Sequence, residues 1–211
     1  MKLLIKVCGL KHAENIKILA DNEVLPDLYG FIFHARSPRY VTETALADLS
    51  VSTSQTAGKR VGVFVDAGLS DILAIHEQFP LDYVQLHGNE SPALCSKLRK
   101  QSFKTIKAFQ VSDQVDFYQM TPYETVCDYF LFDAAGKAPG GNGIRFNWEI
   151  LQKYQGSTPF LLSGGIRPKH VNQILTLNHP SIRGIDLNSG FEVAPGQKDP
   201  VLLNHFLKAI T

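Results

Sequence analysis

The sequence is poor in the residues that staple small or metal-bound folds. Its 211 residues include three cysteines, Cys8, Cys95 and Cys127, an odd set at wide spacing with no C-x-x-C pair. That pattern argues against a disulfide framework and against structural zinc. The seven histidines show neither H-E-x-x-H nor any other ligand spacing, so no metal site is expected. Charge of one sign is also missing. Twenty-one basic against twenty acidic residues leave +1, which offers no electrostatic footprint for nucleic acid or an anionic membrane surface. The longest apolar runs, such as "LYGFIF" (Leu28 to Phe33), fall far short of the roughly 20 residues that span a bilayer. No charged-then-apolar leader follows Met1. The expectation is a soluble, cytoplasmic protein with neither nucleic-acid nor membrane partners.

No Pro/Gly/Ser-rich linker divides the chain. The one polar weak point, "VSTSQTAGK" (Val51 to Lys59), has the length of a loop, so residues 1–211 read as a single domain. What the sequence does have is rhythm. Eight β-rich runs begin near Leu3, Leu28, Arg60, Asp82, Lys104, Asp128, Thr158 and Arg183, at intervals of 22 to 32 residues. Each interval leaves room for one helix and two loops, the repeat of βα units. Helix starts are legible between them. Ser91-Pro92 offers a capping hydroxyl and a proline at the first helical position before Leu94, Cys95 and Leu98. Asp199-Pro200 repeats the device before Leu203, Phe206, Leu207 and Ile210. Pro168 opens a turn carrying Val171, Ile174 and Leu175, and Ile72, Ile75, His76 and Phe79 make another stripe. Cys95 is therefore assigned to core packing, and His76 and His205 to helices outside the sheet, without function.

Eight strands alternating with helices predict an α/β fold, a closed (β/α)8 TIM barrel, kept compact because about 250 residues is the usual length. An open doubly wound sheet is the alternative, but no G-x-G-x-x-G follows the first strand. Barrel ligand sites lie at the carboxyl ends of strands. The polar residues there are Cys8, His34, Gln85, His87, Asp133, Ser163, Gly164, Gly165, Asp186, Asn188, Ser189 and Gly190. In "LLIKVC", Leu3, Ile5 and Val7 share one face and Lys6 and Cys8 the other, so the last two are expected in the barrel mouth. A neighbouring ammonium favours the Cys8 thiolate while burial opposes it; a small apolar strand end is the plainer reading. Asp133 follows Phe130, Leu131 and Phe132, a setting that suits a carboxyl to donate a proton, although aspartate also caps and turns. "LLSGGIRP" and "DLNSGFEVAPG" present glycine-rich backbone at the seventh and eighth strand ends, where barrels commonly hold phosphate. Arg39 in "HARSPRYV" offers a planar fork for a carboxylate, with Arg36 as its competitor.

Taken in order, "IKVCGL", "GFIF", "SPRYV", "VGVFVD", "VQLHGNE", "GGNGIRFNW", "LLSGGI" and "DLNSGFEVAPGQKD" resemble the phosphoribosylanthranilate isomerase family of tryptophan biosynthesis over essentially the whole chain. The resemblance implies a phosphate-binding barrel and an Amadori rearrangement of N-(5-phosphoribosyl)anthranilate, a small phosphorylated substrate, with no cofactor and no metal. It makes Asp133 the general acid, Cys8 the general base, Arg39 the holder of the anthranilate carboxylate, and Gly164, Gly165, Ser189 and Gly190 the phosphate site. The glycine after Cys8 is expected to let the backbone approach the substrate. Lys6, Gln85, His87 and Asp186 are grouped with the substrate-binding residues, Lys6 as a tuner of Cys8 and Asp186 as an orienter of loops, with polar packing as the alternative. Three positions depart from the family's habit: Asn142, Asn147 and Asn188. A sugar-phosphate epimerase would want metal-binding His and Asp at strand ends, the indole-forming synthase an N-terminal extension and catalytic lysines, and a silent phosphate-ligand binder neither Cys8 nor Asp133. A monomer is the expected state.

Overall fold

The structure is a computed structural model that describes residues 3–134 and 147–210. Eight parallel strands close into a barrel in chain order: β1 (Leu4–Cys8), β2 (Leu28–Ile32), β3 (Lys59–Phe64), β4 (Tyr83–Leu86), β5 (Lys104–Val111), β6 (Tyr129–Ala134), β7 (Phe160–Leu162) and β8 (Ile182–Leu187), with β8 pairing back onto β1. The helices are α1 (Ala13–Asp21), α2 (Leu46–Ser54), α3 (Leu69–Gln78), α4 (Pro92–Lys100), α5 (Val171–Thr176) and α6 (Pro200–Ile210). A small antiparallel hairpin, β9 (Glu192–Ala194) with β10 (Gln197–Lys198), follows β8.

Strands buried on both faces read as nearly continuous apolar runs, because one face meets the helices and the other fills the barrel. Both cores are present. Ile5 and Val7, Val84 and Leu86, Phe130 and Phe132, and Phe160 and Leu162 face outward into the layer shared with the helices. Leu28, Val61, Val63, Tyr83, Ile106, Ala108, Leu131 and Leu161 fill the interior, joined at the top by Cys8. The outward aromatic layer behind β6 is dense: Phe132 stands 4.8 Å from Phe160 and 5.2 Å from Tyr154, ring centre to ring centre.

Several local expectations are corrected. Among the described residues, the connections after β5 and β6 hold only 3₁₀ turns, Phe117–Tyr123 and Trp148–Lys153. In the first, Pro122 lies inside the segment and cannot donate to a continuing helix. Ser91 makes no side-chain cap; α4 begins on Pro92 and on the Ser91 carbonyl, which accepts from Leu94 and Cys95. Leu175 is exposed rather than part of the α5 stripe, since only Ile174 is buried on that short helix. Asp199 does cap α6, its Oδ1 accepting from the Leu202 amide at 2.9 Å, and Leu203, Phe206 and Ile210 are buried beneath.

Candidate active site

Side chains alternate along each strand, and the inward set carries polarity at one end of the barrel. The apolar part of the wall is Ile32 and Val63; with it stand Cys8 from β1, Gln85 from β4 and His87 just after it, Asp133 from β6, Ser163 after β7, and Asp186 from β8 with Asn188 just after it. These residues line a cavity of about 540 Å³ at the carboxyl ends of the strands, together with His34, Arg36, Arg39, Gly164, Gly165, Ser189 and Gly190. Of the residues expected to bind substrate, Lys6 alone does not line it.

Lys6 lies beneath, fully buried. It is the register partner of Asp186 across the β1–β8 seam, and its Nζ donates to Asp186 Oδ1 at 2.8 Å. Asp186 Oδ2 accepts from the Ser163 hydroxyl at 3.2 Å. The same ammonium lies near enough to Cys8 for the two groups to act on each other electrostatically. Burial alone would lower the Lys6 pKa, but Asp186 and Cys8 outweigh it and hold Lys6 above its ordinary value. For Cys8 burial is the larger influence and pushes the thiol upward, while Lys6 opposes it without cancelling it. Gly30, its register partner, leaves the space the sulfur occupies, since a Cβ there would stand 2.9 Å from Sγ.

Asp133 is held differently. Its Oδ1 accepts from the Ala134 amide at 2.9 Å, and its Oδ2 lies 3.2 Å from His87 Nε2. His87 Nδ1 meets Gln85 Nε2 at 2.8 Å. With the Gln85 amide donating, Nδ1 is the acceptor and Nε2 carries the proton offered to Asp133. The loop bearing His87 is pinned in turn: Glu90 accepts from the Gly88 and Asp66 amides, and the buried Lys107 pairs with Glu90 at 3.2 Å and donates to the Gly88 carbonyl at 2.8 Å. Among the described residues no group of three or more His, Cys, Asp or Glu side chains is placed to hold a metal.

Across the mouth, Gly164 and Gly165 both sit at positive φ, +82° and +66°, which glycine adopts at little cost. No acceptor among the described residues takes either amide hydrogen. Ser189 and Gly190 face them from a short 3₁₀ turn after β8. Asn188 does not point only toward that end; its Oδ1 accepts from Lys198 Nζ at 2.8 Å. Asn147 caps the turn it precedes, accepting from the Glu149 amide at 3.1 Å as an aspartate would, which accounts for that departure. Asn142 lies outside the described residues.

Arg39 reaches the cavity with much of its fork already in use. Glu192 grips the Nε and Nη2 edge at 2.9 and 2.6 Å. Gly9 also makes room within the site itself. Gly9 has φ +79°, and a Cβ there would stand 2.5 Å from Arg39 Cδ and 2.7 Å from Asn188 Oδ1. The glycine makes room for two side chains of the site. Glu192 and Lys198 escaped the sequence reading altogether, and the one signal available was an acid and a base bracketing the "APG" turn.

With this geometry in view, the likenesses to known proteins are specific. The family model for N-(5′-phosphoribosyl)anthranilate (PRA) isomerase matches residues 5–209. The N-(5′-phosphoribosyl)anthranilate isomerase of Parabacteroides distasonis is 44% identical over 99% of this chain and 93% of its own length. The solved phosphoribosyl anthranilate isomerase of Thermotoga maritima superposes with a TM-score of 0.86 at 30% identity, covering 99% of this chain and 98% of that one. A phosphoribosyl anthranilate isomerase solved in complex with reduced 1-(o-carboxyphenylamino)-1-deoxyribulose 5-phosphate superposes with a TM-score of 0.83 at 28% identity, covering 99% and 98%. The chain belongs to the N-(5′-phosphoribosyl)anthranilate isomerase family.

Proposed function

We propose that this protein isomerises N-(5′-phosphoribosyl)anthranilate to 1-(2-carboxyphenylamino)-1-deoxyribulose 5-phosphate in tryptophan biosynthesis, with Asp133 as acid and Cys8 as base. The observation that carries the reading is that both side chains project from inward positions at strand ends into one cavity. Asp133 gives its proton to the ribose ring oxygen. The bond from that oxygen to C1′ breaks as the nitrogen lone pair forms the iminium. Cys8, as thiolate, then removes the C2′ proton, and the released pair makes the C1′–C2′ double bond of an enolamine. Loss of the 2′-hydroxyl proton and gain of one at C1′ give the ketone. C1′ is reduced as C2′ is oxidised within one molecule, so no cofactor or metal is invoked.

The surroundings support these roles. His87, fixed by Gln85, orients the Asp133 carboxyl, and its ring hydrogen supports the carboxylate left after proton transfer. Burial pushes the Cys8 thiol upward, and the charge of the nearby Lys6 ammonium opposes it, favouring the thiolate that the base step requires. Lys6, which does not line the cavity, thus acts through Cys8 and not on the substrate. The Gly164 and Gly165 amides, with Ser189 and Gly190, hold the phosphate. Arg39 takes the anthranilate carboxylate on its remaining edge, and Ile32 and Val63 offer apolar wall. The reading extends to a single domain over the whole chain and to a monomer in the cytoplasm. No helix among the described residues is long and apolar enough to cross a membrane.

The test is the disappearance of anthranilate-type fluorescence when protein is added to freshly prepared phosphoribosylanthranilate. Rapid loss with the wild type and near-none with Cys8→Ser or Asp133→Asn is expected. Full turnover by both variants would defeat the assignment of acid and base. A wild type inert where a known isomerase works would defeat the reaction.

A further inference from the structure

Arg39 is the cation expected to hold a carboxylate, yet it is already bound to one. A guanidinium offers a carboxylate two bidentate edges, one made by Nε and the near terminal nitrogen, the other by the two terminal nitrogens. Glu192 fills the first, accepting from Nε at 2.9 Å and from Nη2 at 2.6 Å. Two unit charges locked so closely cancel, and a neutral pair would draw a substrate carboxylate only weakly. The hairpin resolves this. Lys198 is the register partner of Glu192 across β9 and β10, and its Nζ donates to Glu192 Oε1 at 2.6 Å. Two cations around one carboxylate leave one unit of positive charge, and Arg39 is the member that meets the cavity.

The placement of Lys198 is firmly built. It is 1% exposed, its Nζ also donates to Asn188 Oδ1 at 2.8 Å, and its backbone is clamped by Asn15 of α1 through both amide and carbonyl, at 2.8 and 3.0 Å. Burial lowers its pKa, with Glu192 opposing. Neither Glu192 nor Lys198 lines the cavity, so neither touches a ligand there.

We propose that Lys198 is a positioning residue for carboxylate specificity: through Glu192 it restores the net positive charge that lets Arg39 select an ortho-carboxylated aryl amine over a neutral one. The inference rests on the reading of Arg39 as the carboxylate holder. The ligands for its test are the product, 1-(2-carboxyphenylamino)-1-deoxyribulose 5-phosphate, and its anilino counterpart lacking the carboxyl, whose dissociation constants give a preference ratio. Lys198→Gln removes the charge and can keep a hydrogen bond to Glu192; Lys198→Met removes both. In either folded variant the ratio is expected to fall about tenfold, with KM rising similarly and kcat changing by less than about threefold. Affinity for the anilino ligand stays unchanged, and Lys198→Arg restores the ratio. A folded Gln or Met variant with the wild-type ratio overturns the proposal, provided Arg39→Ala lowers it. If Arg39→Ala also leaves the ratio intact, the carboxylate site itself lies elsewhere, and the failure belongs to the Arg39 assignment.

Discussion

Two aspartates stand at inward positions of nearby strands, and the molecule treats them oppositely. Asp186, on β8, is saturated: a buried lysine on one oxygen, the Ser163 hydroxyl on the other, and a side chain only 5% exposed. Among the described residues, Asp133, at the end of β6, meets its neighbour's amide and one imidazole, and its side chain is 14% exposed. A carboxylate engaged on both oxygens by a buried ammonium and a hydroxyl is part of the structure. One turned toward the cavity with a ring nitrogen beside it is within reach of a ligand there. The difference is made by a single register neighbour, lysine at position 6 beside Asp186.

This contrast can be broken in order of effect. Asp133→Asn is expected to lower kcat by about 10³-fold or more, the scale of a lost general acid, while the melting temperature hardly moves. Asp186→Asn does the reverse kind of damage. It strands a buried ammonium, and chemical denaturation is expected to show a loss of about 3–5 kcal/mol. Equal loss of stability in the two variants would erase the distinction. Gly9→Ala forces a side chain into positive φ and against Arg39 and Asn188, at a stability cost of about 1–3 kcal/mol with a raised KM. His87→Gln, which loosens Asp133 without removing it, is expected to lower kcat about tenfold, the equivalent of one hydrogen bond of about 1.4 kcal/mol. Smallest is a pH effect at Cys8. Because burial raises its thiol, iodoacetamide labelling at this residue, followed by mass spectrometry, is expected to be slow at pH 7 and still accelerating above the ordinary thiol value of about 8.5. Lys6→Met removes the opposing charge and slows labelling further at any given pH. Faster labelling in that variant would mean that Lys6 does not support the thiolate.

The strand-end residues were legible because a period of two is a strict rule: once "LLIKVC" and "YFLFDA" are strands with apolar outer faces, Cys8, Lys6 and Asp133 have nowhere to go but inward. What was not legible is pairing. Nothing in the local sequence says that Lys6 belongs to Asp186 or that Lys198 stands behind Arg39, because those neighbours are set by closure of the barrel and by the hairpin register. The same limit explains Gly9, whose neighbours come from residues 39 and 188, and Leu175, whose helix ends before its stripe can reach the core. The missing α-helix after β5 had a local sign in Pro122, outweighed by the regular spacing of the strands.

The Lys6–Asp186 contact joins residues 180 positions apart, and it closes the seam between the first and last strands. Contacts of such separation form late, after the shorter loops have closed. As the chain leaves the ribosome, Asp133 and Cys8 are both synthesised well before β8 exists to seal the barrel. Until it arrives, Lys6 has no counter-ion and Cys8 no ordered ammonium beneath it. Competence for catalysis is therefore acquired in the same event that completes the fold, and a nascent chain stalled short of β8 carries both reactive side chains without the seam that makes them an active site.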